Sequence, residues 1–271
     1  MVRSIGPIID IFRYDPVTKS QDLVISSMDG FSRDKIKDTV ALQTYDAARS
    51  VVDYFKSSFH RDSFDGKNAP VKIVIGYREE PSVPLSNAFW SQEDKTIYFG
   101  DGDGRVITPL GTAPDVMAHE FTHAVIDSVL LLKYRGEQGG IHESVSDVLA
   151  TGVDGNLTIG ESIFTPDLKG DSIRDLADLP LKTKNDLPKY SGTIEGEPHM
   201  MSEPLSTAAF LASKVLGIEK IRQIWYTAVT QGLKDNAGFE GLRSATEGAA
   251  LSLYGTKARQ SIADAWKAVG I

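Results

Sequence analysis

The residues most able to bind a metal or catalyse a reaction are two histidines and a glutamate in the run His119-Glu120-Phe121-Thr122-His123. Positions i and i+4 of an α-helix lie one turn apart on the same face, so both imidazoles can reach one metal ion. Glu120 lies beside them, off the metal but close enough to hold a water molecule. Two solvated histidines on a surface helix are the simpler alternative. Against it, the neighbouring residues are apolar and predict burial, where polar groups need partners: Val116, Ala118, Phe121, Ala124 and Val125.

A second run, from Gly139 to Asp147, offers a third metal ligand. Glu143 follows His123 by twenty residues. Two histidines and one glutamate leave the fourth position of a tetrahedral zinc site open for water, which is the arrangement of a catalytic site. Asp147 is one turn after Glu143 and is placed to hydrogen-bond the far nitrogen of a zinc histidine. Alone, the two acids would indicate an exposed acidic face; with the histidine motif they favour catalytic zinc.

Hydrophobic periodicity and turn residues place these motifs on secondary-structure elements. The motif helix is predicted to be capped by Thr112, to have Pro114 in its first turn and to run to about Leu132. The elements predicted before it are strands at 7–14, 22–26 and 71–77, a long helix at 34–59 and a hairpin at 87–104 with a Gly/Asp-rich loop.

The second half of the chain is predicted to be mainly helical. Gly139-Gly140 is expected to form a break in regular secondary structure, and a second helix is expected to begin near Ile141. A loop-rich stretch from 154 to 204 follows, and then helices at 205–216, 218–231 and 239–254, each ending at a glycine, and a last one to Val269. Strands first and helices last predict an α+β fold, with a β-rich N-terminal lobe at 1–132 that includes the motif helix and a mainly helical lobe at 133–271.

Composition excludes several classes of function. The formal net charge is -8 and no Lys/Arg cluster is present, so no nucleic-acid partner is expected. The chain has no cysteine, so a metal must be held by histidines and carboxylates. No stretch approaches the ~20 apolar residues of a membrane span, so no membrane partner is expected. A monomer is the default expectation.

Seven blocks of sequence together resemble the thermolysin family of zinc metallopeptidases. They occur in the family's order and near its spacing, over nearly the whole chain: 87–90, 100–104, 115–125, Tyr134, 140–147, 170–174 and His199. The resemblance implies a thermolysin-like, two-lobed zincin fold with the active-site helix between the lobes. It also implies a zinc endopeptidase that takes peptide or protein substrates.

Roles for individual residues follow from that resemblance. Zinc lowers the pKa of its water to about 7, and Glu120 takes the proton as general base and returns it to the leaving amine. His199 and Tyr134 are implied as donors to the negative oxygen of the intermediate. Three further residues are implied to bind extended substrate: Asn87 and the Ala88 backbone as an edge strand, and Arg174 at a substrate carbonyl.

The positions that match the family's main subsite are all apolar. We expect cleavage on the amino side of bulky hydrophobic residues such as Leu, Ile and Phe. The six positions are Ile107, Leu110, Val116, Ile159, Ile163 and Ile173.

Three departures from the family pattern stand out. His142 replaces the usual Asn before the third ligand. The carboxylate that orients the family's histidine has no counterpart at its usual distance from His199, and Glu195 or Glu197 is the expected substitute. The paired calcium site is expected to be absent, because the segment between Asp115 and Glu161 is short and 155–158 lacks acids. A single calcium loop is predicted at Thr165–Asp171.

The sequence leaves open two alternative functions and two cellular compartments. An aminopeptidase is disfavoured, because no Gly-x-Met-Glu-Asn run is present to bind a free amine. A binding protein on a catalytically impaired scaffold is the other alternative, motivated by the surroundings of His199. Secretion is expected if a prepro-segment is missing from this chain, and a cytoplasmic enzyme if Met1 is native.

Overall fold

The computed structural model describes residues 6–28, 30–164, 171–190, 193–194 and 196–271. The described residues pack as two units. The first draws on Met1–Val125 and Thr158–Ile173, and the second on Ile126–Leu157 and Arg174–Ile271. The lobe boundary predicted between 132 and 133 stays a prediction.

A mixed five-stranded sheet forms the first unit's framework. Its spatial order is β2-β1-β3-β5-β4, where β1 pairs in parallel with β3 and β3 in parallel with β5, while β2 and β4 are antiparallel edge strands. Ile11, Ile73 and Ile97 are buried and lie in register on neighbouring strands, so they form one apolar row. The strands are β1 (Ile9–Tyr14), β2 (Gln21–Ser26), β3 (Val71–Ile75), β4 (Ala88–Ser91) and β5 (Thr96–Phe99).

Helix α1 (Thr39–Phe59) packs against this sheet. The predicted start at residue 34 is wrong, and the reason is the cap at Asp38. Its carboxylate accepts a hydrogen bond from the Ala41 N–H at 3.0 Å and is held by Arg13, so regular helix begins at Thr39. Before it there is a single 3-10 turn, Arg33–Lys35.

Helix α2 (Pro114–Asp127) carries the histidine motif. It ends at Asp127, so the predicted extension to Leu132 is wrong. Thr112 does not cap it either. Thr112 ends a 3-10 turn, Leu110–Thr112, in which its hydroxyl donates to the Pro109 carbonyl at 2.8 Å, and Ala113 separates it from the helix. On its buried face, Phe121 packs against Phe55 of α1 with ring centroids 5.0 Å apart.

The second unit is a helical assembly, and Trp225 and Trp266 stack in its core with centroids 6.0 Å apart. Its helices are α3 (Gly136–Asp154), α4 (Pro198–Leu216), α5 (Ile218–Thr227) with a π-helical turn (Ala228–Gly232), α6 (Phe239–Tyr254) and α7 (Thr256–Ala268). The remaining strands are β6 (Thr158–Ile159) in the first unit, and β7 (Arg174–Asp175), β8 (Lys189–Tyr190) and β9 (Thr193–Ile194) in the second.

Two predicted boundaries in the second unit are wrong for one reason, the close packing of α3 on α4. Gly139 and Gly140 lie inside α3 and do not interrupt it. A Cβ at Gly139 would lie 2.9 Å from the Pro198 ring, and one at Gly140 would lie 2.8 Å from Met201. These glycines therefore serve helix–helix approach, and α4 begins at Pro198 instead of residue 205.

The α+β prediction is confirmed: the sheet lies in the first unit, and the second is largely helical. Among the described residues, none of the helices combines the length and the apolar character needed to cross a lipid bilayer.

Candidate active site

The first unit carries the histidine motif of α2. The three polar side chains are buried, with exposed fractions of 4% for His119, 6% for Glu120 and 6% for His123. The two Nε2 atoms lie 3.1 Å apart, and the ring planes are inclined at 81°. Both imidazoles therefore direct a nitrogen at one point, and the alternative of two solvated histidines is wrong.

The separation of these nitrogens fits two corners of a zinc site. Nitrogen ligands lie about 2.0–2.1 Å from zinc, and two such ligands at a tetrahedral angle lie about 3.4 Å apart. The observed 3.1 Å between the His119 and His123 Nε2 atoms is close to that separation. The residues of this motif thus fit the metal that the sequence predicts.

The second unit carries Glu143, Tyr134 and His199. Glu143 is fully buried on α3. The Tyr134 hydroxyl donates a short hydrogen bond to Glu143 Oε1, and His199 Nε2 lies 3.1 Å from Glu143 Oε2. Two residues that the sequence predicts for one site, Tyr134 and His199, thus lie at the carboxylate of a third, Glu143.

His199 lies in the first turn of α4. The prediction that it lies in a loop is wrong. Glu197 is the N-cap, and its carboxylate accepts hydrogen bonds from the backbone N–H groups of His199 and Met200 at 3.1 and 3.3 Å. The other carboxylate oxygen of Glu197 makes a short contact with His199 Nδ1. Glu197 is therefore the carboxylate that faces this histidine, whereas Glu195 lies outside the described residues.

His142, the departure next to Glu143, faces Asp127 at the end of α2. The His142 Nε2 and Asp127 Oδ1 atoms lie 3.6 Å apart, and His142 is buried. The His142 ring also lies edge-on to Tyr134, with centroids 6.0 Å apart. This histidine therefore belongs to the packing around Tyr134.

Asp147 and Arg174 form a pair that the sequence analysis missed. Nε and an Nη of Arg174 each donate to the Asp147 carboxylate at 2.7 Å. Asp147 is 1% exposed, so a bidentate guanidinium compensates the burial of its charge. The two residues lie 27 positions apart, and no spacing rule connects them. Their predicted roles, at a zinc histidine and at a substrate carbonyl, stay predictions.

The six candidate subsite residues all lie in the first unit, but they differ in burial. Ile173 is 39% exposed and Ile107 is half-buried. The others belong to the core: Leu110, Val116, Ile159 and Ile163. Of these six positions, then, Ile107 and Ile173 offer surface to a ligand.

Asn87 and Ala88 lie at an edge of the five-stranded sheet, because β4 is the last strand in its order. Asn87 is exposed, and its backbone carbonyl accepts from the Gly100 N–H at 3.0 Å. An edge strand offers backbone groups for pairing with an extended peptide.

The acids around Asp115 are engaged with their own unit. Asp115 is buried and accepts from the Val116 N–H at 2.8 Å and, through a short bond, from the Gly160 N–H. The Thr158 hydroxyl donates to Glu161 at 2.9 Å. Residues 165–170 of the predicted calcium loop lie outside the described residues, so that calcium site stays a prediction.

Two convergent, buried imidazoles with a glutamate beside them on one helix fit the class of mononuclear metallohydrolases. Sequence models of one family match both halves of the chain. The catalytic domain of the thermolysin metallopeptidases matches residues 9–127, and their alpha-helical domain matches residues 131–271. The chain belongs to the thermolysin metallopeptidase family.

Individual relatives agree with this assignment. An "Extracellular elastase" of Staphylococcus epidermidis is 32% identical over 97% of this chain and 52% of its own length. A "Thermolysin" of Alicyclobacillus acidocaldarius is 34% identical over 86% of this chain and 46% of its own length. The chain thus spans about half the length of the curated relatives it matches. A solved precursor of protealysin, a metalloproteinase from Serratia proteamaculans, superposes with a TM-score of 0.84 at 26% identity, over 100% of this chain and 90% of that one.

Proposed function

We propose that the chain is a zinc-dependent endopeptidase in which His119, His123 and Glu143 hold one zinc ion. The convergent, buried pair of imidazole nitrogens on α2 carries this proposal. The continuity of α2 supports the third ligand: Asp127 lies one turn after His123 on the same helix, and it faces His142, the neighbour of Glu143. Zinc is also the metal expected for this family.

In the proposed reaction, a bound zinc ion would supply a Lewis acid that polarises the peptide carbonyl and lets water ionise near neutral pH. Glu120, beside the two histidines, takes the proton of the attacking water and returns it to the leaving amine. The Tyr134 hydroxyl and His199 Nε2 both lie at the carboxylate of Glu143, a proposed zinc ligand. In the proposed reaction they turn from this carboxylate to donate to the negative oxygen of the intermediate.

We also propose how substrate is recognised. An extended peptide pairs with the backbone of β4 at Asn87 and Ala88, which accounts for tolerance of many sequences. Ile107 and Ile173 present the apolar surface that favours Leu, Ile or Phe on the carboxyl side of the cleaved bond. Because the Staphylococcus relative is named as extracellular, we propose that this chain also acts outside the cell.

The test is hydrolysis of a blocked peptide that contains a Gly-Leu bond, with and without the zinc chelator phenanthroline. Glu120→Gln is the matched variant, because it keeps both histidines and the shape of the side chain but removes the base. We expect activity to disappear with the chelator and to fall by about 10²- to 10⁴-fold in the variant, which should still bind zinc. A wild type that binds zinc yet cleaves nothing would instead favour a binding protein on an impaired scaffold.

A further inference from the structure

The segment that presents Tyr134 lies between α2 and α3 and is held only partly by burial. Leu130 and Leu132 are buried, with exposed fractions of 6% and 8%. The following residues, Lys133 and Tyr134, are exposed, and Tyr134 is 54% exposed. Apolar packing therefore fixes the segment up to Leu132, and something else must direct the tyrosine toward Glu143.

Two side chains restrain this segment by accepting hydrogen bonds from the backbone N–H groups of alternate residues. The Leu131 N–H donates to Asp235 Oδ1 at 2.9 Å, and the Lys133 N–H donates to Gln138 Oε1 at 2.9 Å. Gln138 Nε2 in turn donates to the backbone carbonyl of Asp235 at 3.0 Å. The backbone N–H groups of Leu131 and Lys133, on either side of Leu132, are thus tied to one network.

The residues that supply this network are themselves anchored. Gln138 lies in the first turns of α3. The loop that carries Asp235 is fixed at its end by Glu137, whose carboxylate accepts from the Phe239 N–H at 2.8 Å. A Cβ at Gly238 would lie 2.2 Å from that carboxylate, so the loop follows α3 closely. Asp235 therefore holds the tyrosine segment against a fixed support.

We propose that Asp235 and Gln138 are positioning residues that fix the segment Leu131–Lys133 and thereby hold the Tyr134 hydroxyl on Glu143. The proposal deepens the proposed function, because it gives Tyr134 its place as a donor in peptide hydrolysis. Neither residue has to touch the substrate to act in this way.

The variants are Asp235→Ala, which removes the acceptor for the Leu131 N–H, and Asp235→Asn, which keeps an acceptor of the same size. The first readout is amide hydrogen exchange of the peptide that covers residues 129–135, measured without substrate. We expect exchange to be several-fold faster in Asp235→Ala and nearly unchanged in Asp235→Asn. Asp178→Ala is the control, because Asp178 is an exposed acid in a surface ion pair with Lys182.

The second readout is a double-mutant cycle with Tyr134→Phe. We expect Asp235→Ala to lower kcat by about 10-fold with little change in KM, as loss of a supporting partner does. In a Tyr134→Phe background the same change should cost little more, because both act through one hydroxyl. A purely structural residue would give additive losses and no rescue by Asn.

Unchanged exchange in Asp235→Ala, or full additivity in the cycle, would overturn the positioning role. If Asp235→Ala does not fold, Gln138→Met against Gln138→Glu gives the same comparison, because Glu keeps the acceptor for the Lys133 N–H. A wild type that cleaves no peptide would contradict the proposed function but not the positioning role, because the exchange result is obtained without catalysis.

Discussion

The two units hold their functional side chains in opposite ways. In the first unit, the polar groups of His119, Glu120 and His123 are almost fully buried on a helix whose other residues belong to the core. In the second unit, Tyr134 and the His199 side chain are 54% and 45% exposed, and carboxylates orient them. The two proposed histidine ligands are thus fixed by packing, whereas the proposed donors are fixed by hydrogen bonds at the surface.

This difference matches what each group has to do. Metal ligands must keep a geometry that leaves one position open, and a rigid apolar surrounding provides that. Donors must reach an oxygen of a substrate, so they have to be exposed, and directional hydrogen bonds compensate for the missing packing. The comparison predicts that substitution of the two buried histidines in the first unit acts through the metal, and that substitution of the groups that orient the exposed donors in the second unit acts through kcat.

The largest effect is expected from His123→Ala. Loss of one buried ligand should abolish stoichiometric zinc binding and lower activity by more than about 10²-fold, because loss of even an outer partner costs about 10- to 100-fold. Added zinc should then no longer raise the melting temperature, since ligand stabilisation requires binding to the native state. Metal analysis and thermal unfolding measure both.

His60→Asn is the matched control for this substitution. His60 is exposed at the C-terminal end of α1, in a left-handed conformation that Asn tolerates. Zinc content and activity should be unchanged. If His123→Ala kept a full zinc ion, the assignment of the buried pair as ligands would be wrong.

A smaller effect is expected at Glu197, which faces His199 in the second unit. Glu197→Ala removes the contact to His199 Nδ1 and the two backbone hydrogen bonds at the N-cap. We expect kcat to fall by about 10- to 100-fold while zinc content stays at one ion. Glu197→Asp, which preserves a capping carboxylate, should retain the stability but lose part of the activity. If Glu197→Ala lost its zinc, the proposal that groups orienting the donors act through kcat and not through the metal would be wrong.

A stability effect is expected where α3 meets α4. Gly140→Ala would place a Cβ 2.8 Å from the backbone of Met201, which cannot move like a side-chain end. We expect destabilisation by about 1–3 kcal/mol and a loss of activity, because the two helices bring Glu143 and His199 together. Gly248→Ala on α6 is the control. Its Cβ would meet no atom within 4 Å, so the substitution should stabilise by about 0.5–1 kcal/mol.

The same glycines show where prediction from the sequence stops. The spacing of His119 and His123, the apolar neighbours and the Ile/Val-rich strands are local signals. They predict that α2, β1 and β3 exist, although not where α2 ends. Gly139-Gly140 is locally a helix breaker, but tertiary packing against α4 overrides that propensity. The prediction of a loop histidine at His199 failed with it. The Arg174–Asp147 pair could not be predicted at all, because only the folded chain brings these positions together.

The smallest effect is expected at Glu203 of α4 and concerns pH. Burial raises the pKa of this carboxyl above its usual value of 4.5. The hydrogen bond from the Leu181 N–H and the charge of nearby Arg174 only partly offset the increase. A raised pKa means that the folded state favours the protonated acid. Its stabilising contribution is therefore complete at a pH below the usual pKa and is lost as the pH rises through the raised pKa.

Glu203→Gln should match the wild type in melting temperature at about pH 4 and exceed it at about pH 8, while its side chain still accepts a hydrogen bond from the Leu181 N–H. A variant that is less stable at both pH values would show that the charged carboxylate stabilises this unit, and the contrast between packing and hydrogen bonding would then not extend to α4.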